Sequence, residues 1–373
     1  MATITVFLAG DVMTGRGIDQ ILPHPGRPEL HEAHVNDARV YVRLAEEASG
    51  PVPRPVEPAY IWGDALGELA RVAPDARIVN LETAITRSED RWPGKAVHYR
   101  MHPGNVGCLT AADIDVCALA NNHVLDHGYA GLRETLRTLA SAGVKTAGAG
   151  LTRADAETPA IVDLPRHRRV VVFSLGSPTS GVPAAWAATD ERPGVDFLPD
   201  LSDRTAERVI ARVRRVKRPG DVVIASIHWG TNWGFEVPRA HVRFAHRLAA
   251  GGVDVVHGHS SHHPRAIERY RDALILYGCG DFIDDYEGIG GYEAFRDDLV
   301  LMYFAEVDVR GPRRPRLRMT PLRIRRMRLN HASDDEARWL RDTIMEASRE
   351  FGSRVDLAPD GRLVLAPASG PSA

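Results

Sequence analysis

Short apolar runs that alternate with amphipathic stretches are the feature that most restricts how this chain folds. The apolar runs cover residues 3–9, 77–81, 114–119, 144–147, 170–175, 222–227, 253–256 and 273–277. Patterns with helical spacing lie between them, at residues 64–72, 105–112, 130–142, 202–217 and 239–250. Buried strands that alternate with helices build a largely parallel sheet. We therefore predict an α/β fold.

Residues from about 20 to 60 interrupt the alternation. This segment is polar and rich in proline, and only residues 36–48 within it have helical spacing. Long loops near strand ends often shape substrate pockets. We predict one catalytic domain, residues 1–330, with this segment as an insertion. A C-terminal helix and tail, residues 331–373, are expected to pack on the domain, with disorder beyond Pro367.

The C-terminal part of the chain has a different texture. Residues 316–319 and 322–325 alternate arginine with apolar side chains, as strands with one solvated face do. Ser333 and Glu336 form a capping-box pattern. The helix that they open is expected to end at Gly352.

The composition is that of an ordinary globular protein. The chain has 373 residues, of which 44 % are hydrophobic and 26 % are charged, and its formal net charge is -2. A nearly neutral chain has no electrostatic field with which to capture nucleic acid. The first residues lack the layout of a signal peptide, and no apolar run reaches the roughly 20 residues that cross a bilayer. We predict a cytoplasmic protein with no nucleic-acid or membrane partner.

The cysteines suggest neither disulfides nor a metal cluster. Cys108, Cys117 and Cys279 lie in or near apolar strands and have no paired spacing. We expect reduced core residues.

The loop after the strand at 114–119 is unusually polar. Its nine residues, Ala120 to Gly128, include two amides, two imidazoles and one carboxylate, among them Asn122, His123 and Asp126. Open α/β sheets bind ligands at the carboxyl ends of their strands. The loop is therefore suited to hold a metal ion beside a proton-transfer group. A polar turn whose side chains bond their own backbone is the alternative.

Other predicted strands end in the same kinds of side chain. They deliver Asp11, Asn80 and Glu82, His228, and the group His259, His262 and His263. The ends of parallel strands meet at one edge of a sheet, so we expect these groups to face one cleft. Carboxylates, amides and imidazoles together form the ligand set of a divalent ion, and the mixture admits calcium, manganese, zinc or iron.

The order of these motifs resembles the capsule-synthesis (CapA, poly-γ-glutamate) branch of the calcineurin-like metallophosphoesterases. The resemblance runs from about residue 3 to residue 305 and rests on six motifs, namely Gly10-Asp11-Val12-Met13, Asn80-Leu81-Glu82, Ala120-Asn121-Asn122-His123, His228-Trp229-Gly230, Gly258-His259 with His263-Pro264, and Tyr277-Gly278-Cys279-Gly280-Asp281-Phe282. It implies a sandwich of two sheets flanked by helices, with the metal site at the strand ends.

The resemblance also implies roles for single residues. The implied metal ligands are Asp11, Glu82 as the bridging carboxylate, Asn122, His228 and His259. His123 matches the histidine that protonates a leaving group in phosphoesterases. His262 and His263 belong to an expanded last motif, and the sequence leaves open which of them points inward.

Two departures from the family pattern concern the metals. Met13 stands where ordinary phosphoesterases have a histidine, and Glu82 is one methylene longer than the usual bridging carboxylate. A thioether is a poor ligand for a hard ion. We therefore expect one of the two metal positions to be impoverished, so that a complete two-metal site is in doubt and a single metal is plausible. Capsule-assembly members would also be expected at a membrane, for which this chain shows no anchor.

Two enzymatic functions fit the resemblance, and a non-catalytic assembly role is a third possibility. The one that we favour is epimerisation, because some members of this branch, associated with lasso-peptide biosynthesis, invert the C-terminal residue of a ribosomal precursor peptide. That peptide would be the partner, and Asp11, His123, Asp126 and His262 would supply the acid and the base. The alternative is hydrolysis of a phosphoester or an amide, with His123 as general acid.

Two tryptophans flank His228 in the sequence. Trp229 and Trp233 are expected to stack on a peptide substrate, with His263 beside them. Packing in the core explains each tryptophan equally well.

Overall fold

Two β-sheets packed face to face form the centre of the molecule in the computed structural model, which describes residues 3–309 and 315–367. The helices in this part of the chain are α1 (Arg16–Ile21), α2 (Arg39–Ser49), α3 (Ala65–Val72), α4 (Gly107–Thr110), α5 (Gly128–Ser141), α6 (Arg153–Glu157), α7 (Asp203–Val216), α8 (Arg239–Ala250) and α9 (Asp334–Ala347).

The strands are short, apart from a few long ones in the two main sheets. They are β1 (Thr3–Val12), β2 (Ala76–Leu81), β3 (Ala84–Ile85), β4 (Arg100–Met101), β5 (Val116–Ala118), β6 (Lys145–Ala147), β7 (Ala149–Gly150), β8 (Ala160–Leu164), β9 (Arg168–Gly176), β10 (Gly194–Val195), β11 (Val222–His228), β12 (Val255–His259), β13 (Ile267–Tyr270), β14 (Ala273–Leu276), β15 (Asp281–Ile283), β16 (Leu299–Asp308), β17 (Arg316–Ile324), β18 (Leu329–His331), β19 (Val355–Leu357) and β20 (Leu363–Leu365).

The first sheet has the strand order β19-β20-β17-β16-β1-β2-β5-β6. Strands β1, β2, β5 and β6 run parallel, whereas β16 pairs with β1 in the antiparallel sense and leads to an antiparallel half. The short β15 joins the end of β1 in parallel, so that Asp281 lies opposite Asp11. The parallel half and the antiparallel half of this sheet therefore meet at β1, which carries the first predicted ligand, Asp11.

The second sheet has the order β13-β14-β12-β11-β9-β8. Its four inner strands are parallel, and antiparallel strands close both edges. The carboxyl ends of β11 and β12 are next to each other, with His228 paired to His259 in the register.

Apolar side chains fill the space between the two sheets. Val6 and Leu8 of β1 lie in the same buried cluster as Val172 of β9 and Ile224 of β11. A second cluster joins the first sheet to helices α1, α2, α3 and α5, and a third joins the second sheet to α7 and α8. The result is a four-layer arrangement of helices, sheet, sheet and helices, which confirms the predicted calcineurin-like α/β sandwich.

One buried histidine links the sheets by a polar bond. The Nε2 atom of His257 in β12 donates to the backbone oxygen of Ala9 in β1 at 2.9 Å, and Ser226 Oγ lies 3.1 Å from its Nδ1 atom. Buried polar groups in folded proteins usually have such partners. The link fixes the ends of β1 and β12 relative to each other.

The C-terminal segment agrees in part with its sequence pattern. Arg316 and Arg318 are exposed while Leu317 and Met319 are buried, as the alternation predicts. The pattern continues through Pro321 as one strand, β17, rather than two. The capping box of Ser333 and Glu336 is present at the start of α9.

Several elements near the C-terminus had no clear sequence signal. Strand β16 was not predicted, and β19 and β20 extend the first sheet where only a helix and a tail were expected. The division of the chain at residue 330 stays a prediction. The predicted disorder beyond Pro367 concerns residues 368–373, which lie outside the described part of the chain.

The insertion is anchored to the body of the protein. Helix α2 buries Tyr41, Val42 and Ala45 in the cluster on the outer face of the first sheet.

The three cysteines are buried and unpaired, as predicted. Among the helices of residues 3–309 and 315–367, none combines the length and the apolar character that crossing a bilayer requires.

Candidate metal centre

Residues from both sheets meet where their parallel strands end. Asp11 lies near the end of β1, and His228 and His259 are the last residues of β11 and β12. Their ligand atoms all lie within 4.8 Å of one another, and all three side chains are buried. Distant parts of the sequence thus form one group that is able to hold a metal ion.

The two histidines set the geometry of this group. Their Nδ1 atoms are 2.8 Å apart, and His259 Nδ1 is 3.8 Å from Asp11 Oδ1. Two imidazole nitrogen atoms bound to one ion at about 2.0–2.1 Å lie roughly 2.9 Å apart at a right angle and roughly 3.3 Å apart at the tetrahedral angle, so a small separation of the two rings would admit an ion. Burial lowers the pKa of both histidines well below the usual value, so both are neutral and offer a lone pair.

The other two predicted ligands face a different nitrogen atom. Glu82 Oε1 is 3.7 Å from His228 Nε2, and Asn122 Oδ1 is 3.0 Å from the same atom. His259 lies on the Nδ1 side of that ring, and Asp11 is near both His259 and, through Asn80, Glu82. The five predicted ligands are therefore gathered in one place.

Asn80 holds the two buried carboxylates together. Its Nδ2 atom donates to Asp11 Oδ1 at 2.6 Å and to Glu82 Oε2 at 3.2 Å. Its Oδ1 atom accepts from Asn121 Nδ2 at 3.0 Å. The side chain of Asn121 also accepts from the backbone N–H groups of His123 and Val124. The polar-turn interpretation thus applies to Asn121, whereas Asn122 faces the centre.

A second group of possible ligands shares Asp11. It consists of Asp11, His262 and Asp281, whose ligand atoms also lie within 4.8 Å of one another. His262 Nδ1 is 2.9 Å from one carboxylate oxygen of Asp281 and 3.0 Å from the other. Asp281 occupies this place because β15 pairs with β1. Two neighbouring groups that share one carboxylate suit a pair of ions.

The sequence had predicted an impoverished second position because of Met13. Met13 is buried, and its sulfur accepts a hydrogen bond from Tyr286 Oη at 3.6 Å. Asp281, which was quoted in a motif but not predicted as a site residue, supplies a carboxylate there instead. The expectation of an impoverished position rested on Met13 and on the longer Glu82, and the pairing of β15 with β1 could not be read from the sequence.

Buried negative charge is concentrated around these groups. Burial, with a contribution from Asp281, raises the pKa of Asp11 to about 7. Burial also raises the pKa values of Glu82, Asp281 and Asp284 well above the usual range, and neighbouring carboxylates add to it. One oxygen of Asp284 has no partner among the described residues. A divalent cation would neutralise this charge, and the donor set therefore fits a metal.

His123 belongs to a hydrogen-bonded triad beside the centre. Its Nδ1 atom is 2.6 Å from Asp126 Oδ2, and Lys95 Nζ is 2.5 Å from Asp126 Oδ1. The backbone N–H of Tyr99 donates to the same carboxylate at 2.7 Å. Burial lowers the pKa of His123 to about 4, although Asp126 opposes this effect. Its Nε2 atom is 3.8 Å from Glu82 Oε1, so this nitrogen faces the metal ligands.

Lys95 was not found from the sequence. It lies in an irregular segment without a strand-end signal, and its ammonium group also bonds the backbone oxygen of Asn122. Only the fold brings it to the loop of His123.

The proposed substrate contacts have different surroundings. Trp229 is a core residue: it is 1 % exposed, stacks on His241 and donates to the backbone oxygen of Tyr277. We correct its expected role accordingly. His263 is also buried, and its Nε2 atom has no partner within residues 3–309 and 315–367. Trp233 is half-buried, stacks on Tyr292 and lies 5.2 Å from the ring of His262.

Comparison with known proteins assigns the chain to a family. Residues 5–286 match the family described as bacterial capsule synthesis protein PGA_cap. The chain belongs to that family. Its membership confirms the likeness to the CapA branch that the six motifs indicated.

Three relatives show how far the PGA_cap likeness extends. A probable polyglutamine synthesis accessory protein of Mycobacterium tuberculosis is 52 % identical over 367 residues, or 98 % of this chain and 97 % of that protein. The PGA biosynthesis protein CapA of Bacillus subtilis is 27 % identical over 323 residues, or 86 % and 72 %. The capsule biosynthesis protein CapA of Bacillus anthracis is 24 % identical over 305 residues, or 80 % and 63 %. These relatives give no support to the likeness with lasso-peptide epimerases.

Proposed function

We propose that this protein is a metal-dependent hydrolase that acts on an amide or phosphoester bond in the synthesis of an acidic polymer. The observation that carries the proposal is the convergence of Asp11, His228 and His259 beside the triad of His123, Asp126 and Lys95. The names of the relatives, which refer to polyglutamine, PGA and capsule synthesis, support the substrate class.

The chain's own residues divide the work. Asp11, His228 and His259, with Glu82 and Asn122 beside them, would hold the metal, and a bound divalent ion supplies Lewis acidity and an activated water. Asp126 holds the His123 ring through Nδ1 and stabilises its protonated form. His123 is thereby able to take up a proton at Nε2 and to deliver it to a leaving group on the metal-ligand side.

Epimerisation remains a second candidate because the site has two histidine–carboxylate pairs. His123 is paired with Asp126, and His262 is paired with Asp281. Inversion at carbon requires one base and one acid, and two such pairs would supply them. The comparisons favour the hydrolase, which the sequence had placed second.

One experiment separates the two reactions. Metal-loaded protein is incubated in deuterated water with a short glutamyl oligomer, with a nitrophenyl phosphodiester, and with a peptide. Cleavage or phosphate release that a chelator abolishes supports hydrolysis. Gain of one mass unit with altered chirality and no cleavage would replace it with epimerisation. His123→Gln should remove either activity while metal content is retained.

A cytoplasmic location stays a prediction.

A further inference from the structure

A cavity of about 420 Å³ lies between the insertion and the segment that leads to β4. Arg16, Arg27, His98, Arg100 and His127 are among the residues that line it. The size is within the usual range for small-ligand sites, roughly 300–1,000 Å³. This cavity does not contain the candidate metal ligands, and the proposed reaction does not use it.

A short series of contacts connects the cavity to the metal centre. The guanidinium carbon of Arg16 lies 4.7 Å from the centre of the Tyr99 ring. The Tyr99 ring is 4.4 Å from that of His123. His127 directly follows Asp126, the partner of His123. A ligand in the cavity would therefore be held next to the loop that carries the proton-transfer group.

Arg100 is a half-buried cation that has no carboxylate partner among the described residues. It donates from Nη1 to the backbone oxygen of Ser88 at 3.1 Å and from Nη2 to that of Arg27 at 3.3 Å. Burial lowers its pKa, although the more distant Asp19 and Glu89 oppose this effect. A guanidinium has five N–H groups, so donors remain for an anion.

His127 forms another part of the wall, and in the described part of the chain only a weak hydrogen-bonding interaction, with the Asp90 backbone, reaches its ring. It is 5 % exposed, and neither ring nitrogen makes a hydrogen bond of normal geometry within residues 3–309 and 315–367. Burial and Arg100 lower its pKa to about 4, with opposing contributions from Asp126 and, more weakly, the Asp90 backbone. A neutral imidazole offers one donor and one acceptor. Buried polar groups seldom remain unpaired, and a small movement of the ring would turn one nitrogen toward a ligand.

The other charges of the cavity limit what it accepts. Arg16 is paired with Glu32 and Asp285, and Arg27 is paired with Glu89 at 2.6 Å. A further arginine, Arg91, lines the wall, as do the carboxylates Asp19, Glu29, Glu32 and Glu89. These carboxylates repel a phosphate of higher charge and accept N–H groups. A singly charged carboxylate on a chain of amide bonds satisfies both Arg100 and these acceptors.

We propose that this cavity is a carboxylate-binding subsite for an acidic amide chain, with Arg100 as its anion-binding residue and His127 as a hydrogen-bond partner. The inference rests on the proposed function, since it names the substrate group that is held beside the metal centre. The insertion then contributes to substrate recognition, because its residues form one wall of the subsite.

The test measures binding to metal-free protein, so that turnover is not involved. Triglutamate with an acetylated N-terminus and an amidated C-terminus is the probe, and triglutamine with the same blocked ends is the neutral control. Arg100→Gln should weaken triglutamate binding roughly tenfold to hundredfold, the usual effect of losing hydrogen bonds to a charged group. His127→Phe should weaken it roughly threefold to tenfold, as for a neutral hydrogen bond. Arg137→Gln, an exposed arginine on α5, is the matched control and should change nothing.

Three results would overturn the subsite. They are equal binding of triglutamine, unchanged affinity in a folded Arg100→Gln variant, and tighter binding of inorganic phosphate than of triglutamate. If Arg100→Gln fails to fold, unchanged affinity in His127→Phe would decide against the proposal in the same way. Hydrolysis without triglutamate binding would leave the proposed function and remove only the subsite. Binding without hydrolysis would do the opposite.

Discussion

At the scale of the residue, Asp281 provides a test of whether the centre holds one ion or two. Asp281→Asn removes a carboxylate from the group with Asp11 and His262. We expect metal content to fall by about one ion per chain. Mass spectrometry of metals after dialysis would measure it, with the exposed Asp272→Asn as control. Equal metal content in both variants would contradict the second position.

Asp281→Asn should stabilise the metal-free protein. The raised pKa of Asp281 shows that its charged form is disfavoured in the fold, mainly by burial. An amide removes this cost, so metal-free Asp281→Asn should melt at a higher temperature than the parent at pH 8. A lower melting temperature would mean that the carboxylate stabilises the fold without metal.

Lys95 tests the electrostatics of the triad. Its ammonium group lowers the pKa of His123, so Lys95→Met should raise that pKa. Methionine preserves most of the volume of the buried stem. Titration of the His123 ring by nuclear magnetic resonance would show the change, and Lys145→Met, an exposed position on β6, should leave the titration as it was. A fall in the His123 pKa would contradict the assigned role.

At the scale of the element, the close approach of β15 to β1 positions Asp281. A Cβ atom at Gly10 would lie 1.7 Å from the backbone oxygen of Gly280. Gly10→Ala should therefore separate the strands and move Asp281 away from Asp11. We expect a loss of roughly 1–3 kcal/mol in the free energy of unfolding, together with lower metal content.

Gly67 in α3 provides the matched control for this change. A Cβ atom there would meet nothing within 4 Å. Gly67→Ala should raise the free energy of unfolding by roughly 0.5–1 kcal/mol, because alanine is the better helix former. If both variants bound metal equally well, the pairing of β15 with β1 would not control the centre. Chemical denaturation and metal analysis together measure the two effects.

Elements with a strong period were predictable, and those defined by pairing were not. Helix α8 matches its predicted bounds, since its apolar spacing and glycine stop are local signals. Strand β15 is three residues long and is recognisable only from its partner β1. The candidate ligands Asp11, His228 and His259 were predicted from strand ends and from the resemblance. The triad member Lys95 and the ligand Asp281 depend on tertiary contacts.

At the scale of the whole molecule, a rise in pH should lower the stability of the metal-free protein. Asp11 has a folded pKa of about 7, well above the usual value. A raised pKa means that the folded state holds its proton more firmly, so stability falls as pH rises toward that value and levels off above it. The pKa values of Glu82, Asp281 and Asp284 are raised well above their usual range, so these carboxylates extend the fall above pH 7. The lowered pKa values of the buried histidines act below about pH 6.5 and add nothing above it.

We therefore expect the melting temperature of metal-free protein to fall between pH 6.5 and pH 8. Each proton of difference between folded and unfolded chains costs about 1.4 kcal/mol per pH unit. Saturating manganese or zinc should abolish the fall, because the ion replaces the protons on the carboxylates. Scanning calorimetry with and without a chelator measures both curves. A metal-free curve that rises with pH would show that these carboxylates are not buried together.

The ligands of the first group come from both sheets, Asp11 from one and His228 and His259 from the other. An ion bound there would connect the two sheets through its coordination bonds. Local opening of either sheet would then have to break the same coordination bonds, so the two halves should gain protection from amide hydrogen exchange together when the ion arrives. Metal supply would in this way regulate how long the folded chain survives proteolysis, separately from any chemistry that it performs.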